Sequence, residues 1–175
     1  MLEIFNRRSV RQFTRQPVEA DKIDKLLRAA MQAPSAANQQ AWEFVVVQDR
    51  QRLAEVARTS PYAKPAAESS VAFILLADEN RLKVPTAWEQ DMAAAAENLL
   101  LEAVHLDLGA VWLGAATSDI VMEKLRRLFN LPETLRPFAI IAAGYPDGPQ
   151  PPVTSRYQPQ RVHYEKWQKE GTQND

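Results

Sequence analysis

Apolar residues recur at helical spacing over residues 19–33, EADKIDKLLRAAMQA. Ile23, Leu26, Leu27, Ala30 and Met31 share one face, and Pro34 stops the run. WEFVVV at 42–47 abandons that period and predicts a buried strand, after which Asp49 can cap a short helix through about Arg58. SPYAKP reads as loop. VAFILLA at 71–77 predicts a second strand, too uniformly apolar for an exposed edge. The longest helix is expected from about Thr86 to Leu108, with Gly109 as its terminating residue. Ala93, Ala94, Ala95 and Ala96 within it would let another backbone approach closely. AVWLG at 110–114 predicts a short third strand. Ser118 or Asp119 can cap a further helix ending near Phe129, and FAIIAAG at 138–144 predicts the fourth strand.

Interleaved helices and strands imply a layered α/β or α+β fold. The 175 residues suit a single domain, 1–175, with one sizeable core. From about residue 146 the chain turns proline-rich (Pro146, Pro149, Pro151, Pro152, Pro159) and forms an extended arm. The arm still carries Val162, Tyr164 and Trp167, so it is expected to dock on something, with a second subunit the natural candidate.

Composition narrows the chemistry. Lys plus Arg number 21 and Asp plus Glu 22, a net charge of −1 that argues against general nucleic-acid or anionic-membrane binding. Neither a membrane-spanning apolar run nor a secretory-signal pattern is present, so a cytoplasmic enzyme is the expectation. There is no cysteine, which excludes disulfides, thiolate nucleophiles, iron–sulfur clusters and cysteine-ligated zinc. With only His105 and His163, a histidine-rich metal site within one chain is excluded as well, and no metal is expected. Difficult chemistry would then fall to an organic cofactor.

The five glycines form no GxGxxG, so the Rossmann dinucleotide fingerprint is absent. Gly109 and Gly114 have phosphate-loop spacing, yet Ala115 and Ala116 follow where Lys and Ser or Thr are needed. Two stretches remain. NRRSVRQF at 6–13 gathers Arg7, Arg8, Ser9 and Arg11, cations and a hydroxyl that suit one dianionic phosphate. Alone, it reads first as a solvated basic helix end. APSAANQQAW at 33–42 offers Ser35, Asn38 and Gln39 on a backbone kept accessible by small neighbours, and alone it is equally an ordinary helix-to-strand loop.

Taken in order, RRSVRQF, PSAANQQAW, GAVWLGA, then GYP and a basic-aromatic tail resemble the FMN-dependent nitroreductase family, from Phe5 to Trp167. Ala37 and Ala41 stand where many relatives have Gly and Pro, which implies altered loop stiffness rather than lost binding. The resemblance implies an α+β fold with a central mixed, mainly antiparallel sheet flanked by helices and a C-terminal tail exchanged between subunits. It implies an intertwined homodimer with FMN at the interface. Arg7, Arg8, Ser9 and Arg11 match the stretch holding the phosphate and ribityl end and approaching the ring. Pro34, Ser35, Ala36, Asn38 and Gln39 match the loop reaching the same flavin from the other subunit. Trp112, Leu113 and Gly114 match the segment beside the isoalloxazine, and Arg156 matches a late basic residue closing on the phosphate, with Arg161 second choice.

The implied activity is a ping-pong oxidoreductase. It takes hydride from NADH or NADPH and reduces a nitroaromatic, quinone or similar electron-poor acceptor, with no obligatory side-chain acid or base. Same-fold relatives include dehalogenases, dehydrogenases and ene-reductases, and a non-catalytic flavin-storage protein is the other class. Residues 59–70 and 78–87 are the candidate lids. Glu89 and Asp91 are read as favouring the dipole of the long helix, and His105 as a packing or capping residue.

Overall fold

The computed structural model describes residues 2–152 and 154–167. In chain order it runs α1 (Glu3–Asn6), α2 (Ala20–Met31), β1 (Trp42–Val47), α3 (Arg50–Ala57), α4 (Pro65–Glu68), β2 (Val71–Asp78), α5 (Trp88–His105), β3 (Gly109–Gly114), α6 (Asp119–Phe129) and β4 (Leu135–Gly144). Short 3-10 turns occupy Ala36–Asn38, Glu79–Arg81, Pro85–Ala87 and Pro159–Arg161.

The strands form one sheet in the order β1-β2-β4-β3, every pair antiparallel. A parallel bridge between Ser9 and Ala110 adds the N-terminal segment beside β3. The sheet is therefore mixed but mainly antiparallel, and the fold is α+β. β2 lies inside the sheet, as its unbroken apolar run requires. Its side chains divide by the strand period. Val71, Phe73, Leu75 and Ala77 join the core containing residues of α2 and α5; Ala72, Ile74 and Leu76 join the core containing residues of α3, α4 and α6. Phe73 is fully buried, so its loss to alanine would cost about 3–5 kcal/mol.

The elements differ from expectation at several points, β4 among them, which starts at Leu135 rather than Phe138. The long helix is delayed: Pro85–Ala87 forms a 3-10 turn, and α5 begins at Trp88. It also ends earlier, at His105, where Asp107 rather than Gly109 takes the left-handed conformation (φ 60°). Gly109 instead opens β3, and its missing side chain has another cause. A Cβ there would lie 2.7 Å from the Cβ of Val10, so glycine is what lets the N-terminal segment reach the sheet. Finally, α1 and α4 are four-residue helices in stretches read as irregular, too short to show any period.

Residues 59–70 are no loose flap. Thr59, Ser60, Ala63, Ala66 and Ser69 are buried, and Arg50 Nη1 donates to the Ser69 carbonyl at 2.8 Å. His105 is exposed and faces Glu3 of α1, its Nδ1 3.3 Å from the carboxylate, so it is a surface pair rather than a packing residue. Among the described residues, no helix is long and apolar enough to cross a membrane.

Candidate functional site

The arginine segment follows α1 and crosses the edge of the sheet. Val10 N–H donates to the Ala110 carbonyl at 3.0 Å, and both Val10 and Phe13 are buried. These two anchors distribute the polar residues between them to two separate cavities. Arg7 and Arg8 line a cavity of about 560 Å³ with Ile4, Phe5, Glu97 and the tail residues Thr154, Ser155, Arg156 and Tyr157. Arg11 lines a second, of about 460 Å³, with Gln12, Phe13, Lys64, Pro65, Glu68 and Asp147. Ser9 is exposed on the segment between them.

The first cavity has an unfilled demand. Arg7 Nε lies 3.4 Å from Glu97, and Arg8 Nη1 donates to the carbonyls of Phe5 (3.3 Å) and Arg7 (2.8 Å). Among the described residues, Arg8 Nη2 is buried without a hydrogen-bond partner. A buried guanidinium donor left unpaired costs free energy that an anion would recover. Three arginines, three hydroxyl residues and an orphaned N–H suit a phosphate. Of the two tail arginines considered, it is Arg156 that lines this cavity; Arg161 lies in the next 3-10 turn.

Sequence reasoning missed Lys64. It stands beside Arg11 in the second cavity, and no local pattern marks it. The segment's third arginine thus leaves the phosphate-like cluster for a cavity it shares with another cation, Lys64, and with the carboxylates Glu68 and Asp147.

Trp112 is half-buried on β3, its ring edge-on to Phe138 at 5.3 Å between centroids; Leu113 is buried and Gly114 exposed. Trp112 and Gly114 share the orientation of Ala110, so their amides point along the outer edge that Val10 meets at Ala110. A Cβ at Gly114 would meet only Thr117 Oγ1, at 3.5 Å, leaving that edge open to close approach.

The 34–40 loop lies at the start of α5 and lines neither cavity. Pro34 and Asn38 are exposed, and Ser35 Oγ accepts from the Gln40 amide at 3.1 Å. Gln39, which the resemblance places at the cofactor, turns its side chain inward. It is 5% exposed, and its amide group is spent inside the chain. Oε1 accepts from the Lys83 and Val84 amides, each at 2.9 Å, while Nε2 donates to Asp91 Oδ2. Asp91 Oδ1 accepts from the Ala36 amide at 2.9 Å. Asp91 is therefore more than a dipole partner: it is buried and ties the loop to α5. Ala37, where the resemblance leads one to expect glycine, has φ 49°; Asn38 and Gln40 are also left-handed, at 50° and 46°.

The sequence profile of the Nitroreductase family matches residues 4–145. A Methanothermobacter thermautotrophicus protein with a provisional NADH dehydrogenase/NAD(P)H nitroreductase name is 40% identical over 164 residues, covering 94% of this chain and 85% of its own. A provisionally named NADH oxidase from Clostridium acetobutylicum superposes with a TM-score of 0.92 at 49% identity, covering 94% of this chain and 99% of its own. An FMN-dependent nitroreductase from Clostridium difficile gives a TM-score of 0.88 at 26% identity, covering 95% of this chain and all of its own (100%). With its arginine segment, small-residue loop and open strand edge on a shared fold, the chain belongs to the nitroreductase family.

Proposed function

We propose that this chain is an FMN-dependent oxidoreductase that draws on NADH or NADPH and reduces nitroaromatics, quinones or similar electron-poor acceptors. The observation that carries the reading is the partnerless, buried Arg8 Nη2 in a cavity ringed by Arg7, Arg156, Ser155 and Thr154. Those groups fit the dianionic phosphate of FMN, and Ser9 fits the ribityl chain beside it. Arg11 and Lys64 line a second cavity together with Glu68 and Asp147, and their cations can turn toward a flavin ring that gains negative charge on reduction. FMN, when held there, supplies two-electron acceptance from a nicotinamide and donation to a second compound that enters after the first has left.

The chain's own residues then bind and orient. The outward amides of Trp112 and Gly114 can donate to a ring edge laid along β3, and the Trp112–Phe138 contact fixes that strand's surface. No side-chain acid or base is required.

The reading includes a homodimer. Tyr157, Val162, Tyr164 and Trp167 are 71%, 43%, 80% and 73% exposed, a run of apolar surface that a second copy would cover. The 34–40 loop, which does not line its own chain's arginine cavity, would meet the partner's. The chain is a single domain with this arm, expected to act in the cytoplasm.

Purified protein tests the proposal. A yellow chain that bleaches anaerobically with NADH or NADPH and reoxidises with a nitroaromatic or quinone supports it. A colourless chain that takes up no added FMN refutes it, and a yellow one that neither nicotinamide bleaches indicates storage. Truncation at Pro146 should convert a dimer to a monomer in light scattering; an unchanged mass would remove the arm from the interface.

A further inference from the structure

Asp91 has no place in the reading so far, yet it is a buried carboxylate, 7% exposed, on the apolar side of α5. Its two oxygens are divided between a backbone amide and a side-chain amide of one loop, Ala36 N–H and Gln39 Nε2. Gln39 passes the connection onward, accepting the Lys83 and Val84 amides. Lys83 Nζ closes the circuit by donating to the Ala37 carbonyl at 3.3 Å. The loop enclosed by these bonds contains three consecutive or near-consecutive left-handed residues, Ala37, Asn38 and Gln40, a conformation that L-residues hold only when their surroundings impose it. The same bonds tie down 83–84, part of the stretch that sequence reasoning offered as a lid.

We infer that Asp91 is a positioning residue for the FMN site: through Gln39 it locks the 34–40 loop into the strained shape in which Pro34, Ser35 and Asn38 are presented to the cofactor. The inference rests on the FMN reading and adds to it a residue that touches no ligand. The polarity of the clamp is specific. Position 91 must accept twice; position 39 must donate toward 91 and accept from 83 and 84.

That polarity supplies the test. Asp91→Asn sets an amide donor against Gln39 Nε2, and flipping either amide moves the conflict to the Lys83 and Val84 amides or to Ala36. Gln39→Glu sets two carboxylates together. The double variant Asp91→Asn/Gln39→Glu restores donor to acceptor at the Ala36, Lys83, Val84 N–H and 39–91 contacts, giving up only the long 3.5 Å bond from Gln39 Nε2 to the Val84 carbonyl, while moving the charge across the pair. FMN dissociation constants are measured for the apo chains by flavin fluorescence, with visible circular dichroism at saturating FMN to report ring geometry. Each single variant should bind FMN at least about ten-fold more weakly and alter the flavin dichroism. The double variant should return to within about three-fold of wild type and recover the wild-type spectrum. Single variants with wild-type affinity and spectrum, or a double variant no better than the singles, overturn the clamp. Should the singles fail to fold, the affinity and spectrum of the double variant decide alone by the same criteria. Absence of FMN uptake by the wild-type chain overturns the cofactor reading and the inference together, whereas wild-type uptake with unaffected variants overturns the clamp only.

Discussion

Gly109→Ala separates a site built by strand pairing from a merely local cluster of arginines. An alanine Cβ at 109 would stand 2.7, 2.7 and 2.8 Å from Cβ, Cγ1 and Cγ2 of Val10. None of these atoms ends a flexible chain, and Val10 is buried, so the segment itself has to move. Overpacking of this kind costs about 1–3 kcal/mol. Lifting the segment also weakens the 3.0 Å bond from Val10 N–H to the Ala110 carbonyl, worth about 1 kcal/mol. The sum, about 2–4 kcal/mol, corresponds to a Tm lower by roughly 5–15 °C in a chain of this length. Thermal and urea unfolding of the apo protein measure it, with FMN titration alongside, because Arg7, Arg8 and Arg11 ride on the displaced segment. Second-site changes refine the reasoning. Adding Val10→Ala removes two of the close contacts but keeps the Cβ one, so it recovers only part of the loss. Adding Val10→Gly removes all three and should restore FMN affinity further than stability, since it also empties a core position. A Gly109→Ala protein that melts within about 1 °C of wild type and binds FMN equally well would refute the account.

Other expectations follow from single residues. Arg8→Ala should weaken FMN binding by about 10–100-fold in a fluorescence titration, and Arg8→Lys should not restore it, because an ammonium lacks the guanidinium fork. Unchanged affinity would leave the orphaned donor without its ligand. Ala37→Gly should raise stability by about 1 kcal/mol in urea unfolding, since glycine adopts φ near 49° without a Cβ penalty; equal or lower stability would show that the loop carries no strain there. Tyr145→Phe probes pH dependence. The Tyr145 hydroxyl bonds the Glu19 carboxylate at 2.8 and 3.0 Å and Lys22 Nζ at 2.9 Å, and is the main cause holding Glu19 below, and Lys22 above, their ordinary pKa values. Glu19's contribution is full above the ordinary carboxylate value and lost as pH falls through its lowered one. Lys22's is full below the ordinary lysine value and lost as pH rises through its raised one. The gap in Tm between wild type and Tyr145→Phe should therefore be widest between about pH 5 and 10 and narrow beyond both ends. A gap independent of pH would exclude this hydrogen-bonded trio as the source.

How far the sequence reaches is decided by what each element needs. β2 and β4 are legible because each buries a run of at least seven residues, whereas β1, read as buried, is an edge strand with only Trp42 and Val47 buried and is betrayed by its β-branched and aromatic residues. α1 and α4 hold four residues each, exist through tertiary packing, and leave no periodic trace. Gly109 was misread because a glycine after a helix ordinarily marks its end; the close approach of Val10 is visible only in three dimensions. Lys64 is hidden for the same reason, since nothing local connects it with Arg11. Asp91 did leave a signal. It sits at helical spacing from Trp88 and Ala95, on the stripe that also holds Met92, Ala96 and Leu99, all buried. An acid on an apolar stripe calls for a buried partner, and the amide-rich loop at 34–40 was the available source.

The crowding of arginines near the N-terminus has a physical basis in the sheet. Gly109 and Gly144 are register partners across β3 and β4, and the space above each is taken by the segment: Val10 over Gly109, Phe13 against Gly144, where a Cβ would lie 3.2 Å from the Phe13 ring. Two of the five glycines in the chain thus serve one crossing. With Val10 and Phe13 turned inward, the arginines cannot choose their surroundings. Arg7 and Arg8 fall beside α5 and the tail; Arg11 falls on the far side of Val10, next to Lys64. Their mutual repulsion is answered only in part, by Glu97 for Arg7 and by backbone carbonyls for Arg8 and Arg11. A solvated basic helix end would need none of this anchoring and would bury no guanidinium donor. Fixed cations in the Arg7, Arg8 and Arg156 cavity, where Glu97 is the one lining carboxylate among the described residues, are left short of counter-charge, and the phosphate of FMN would complete them.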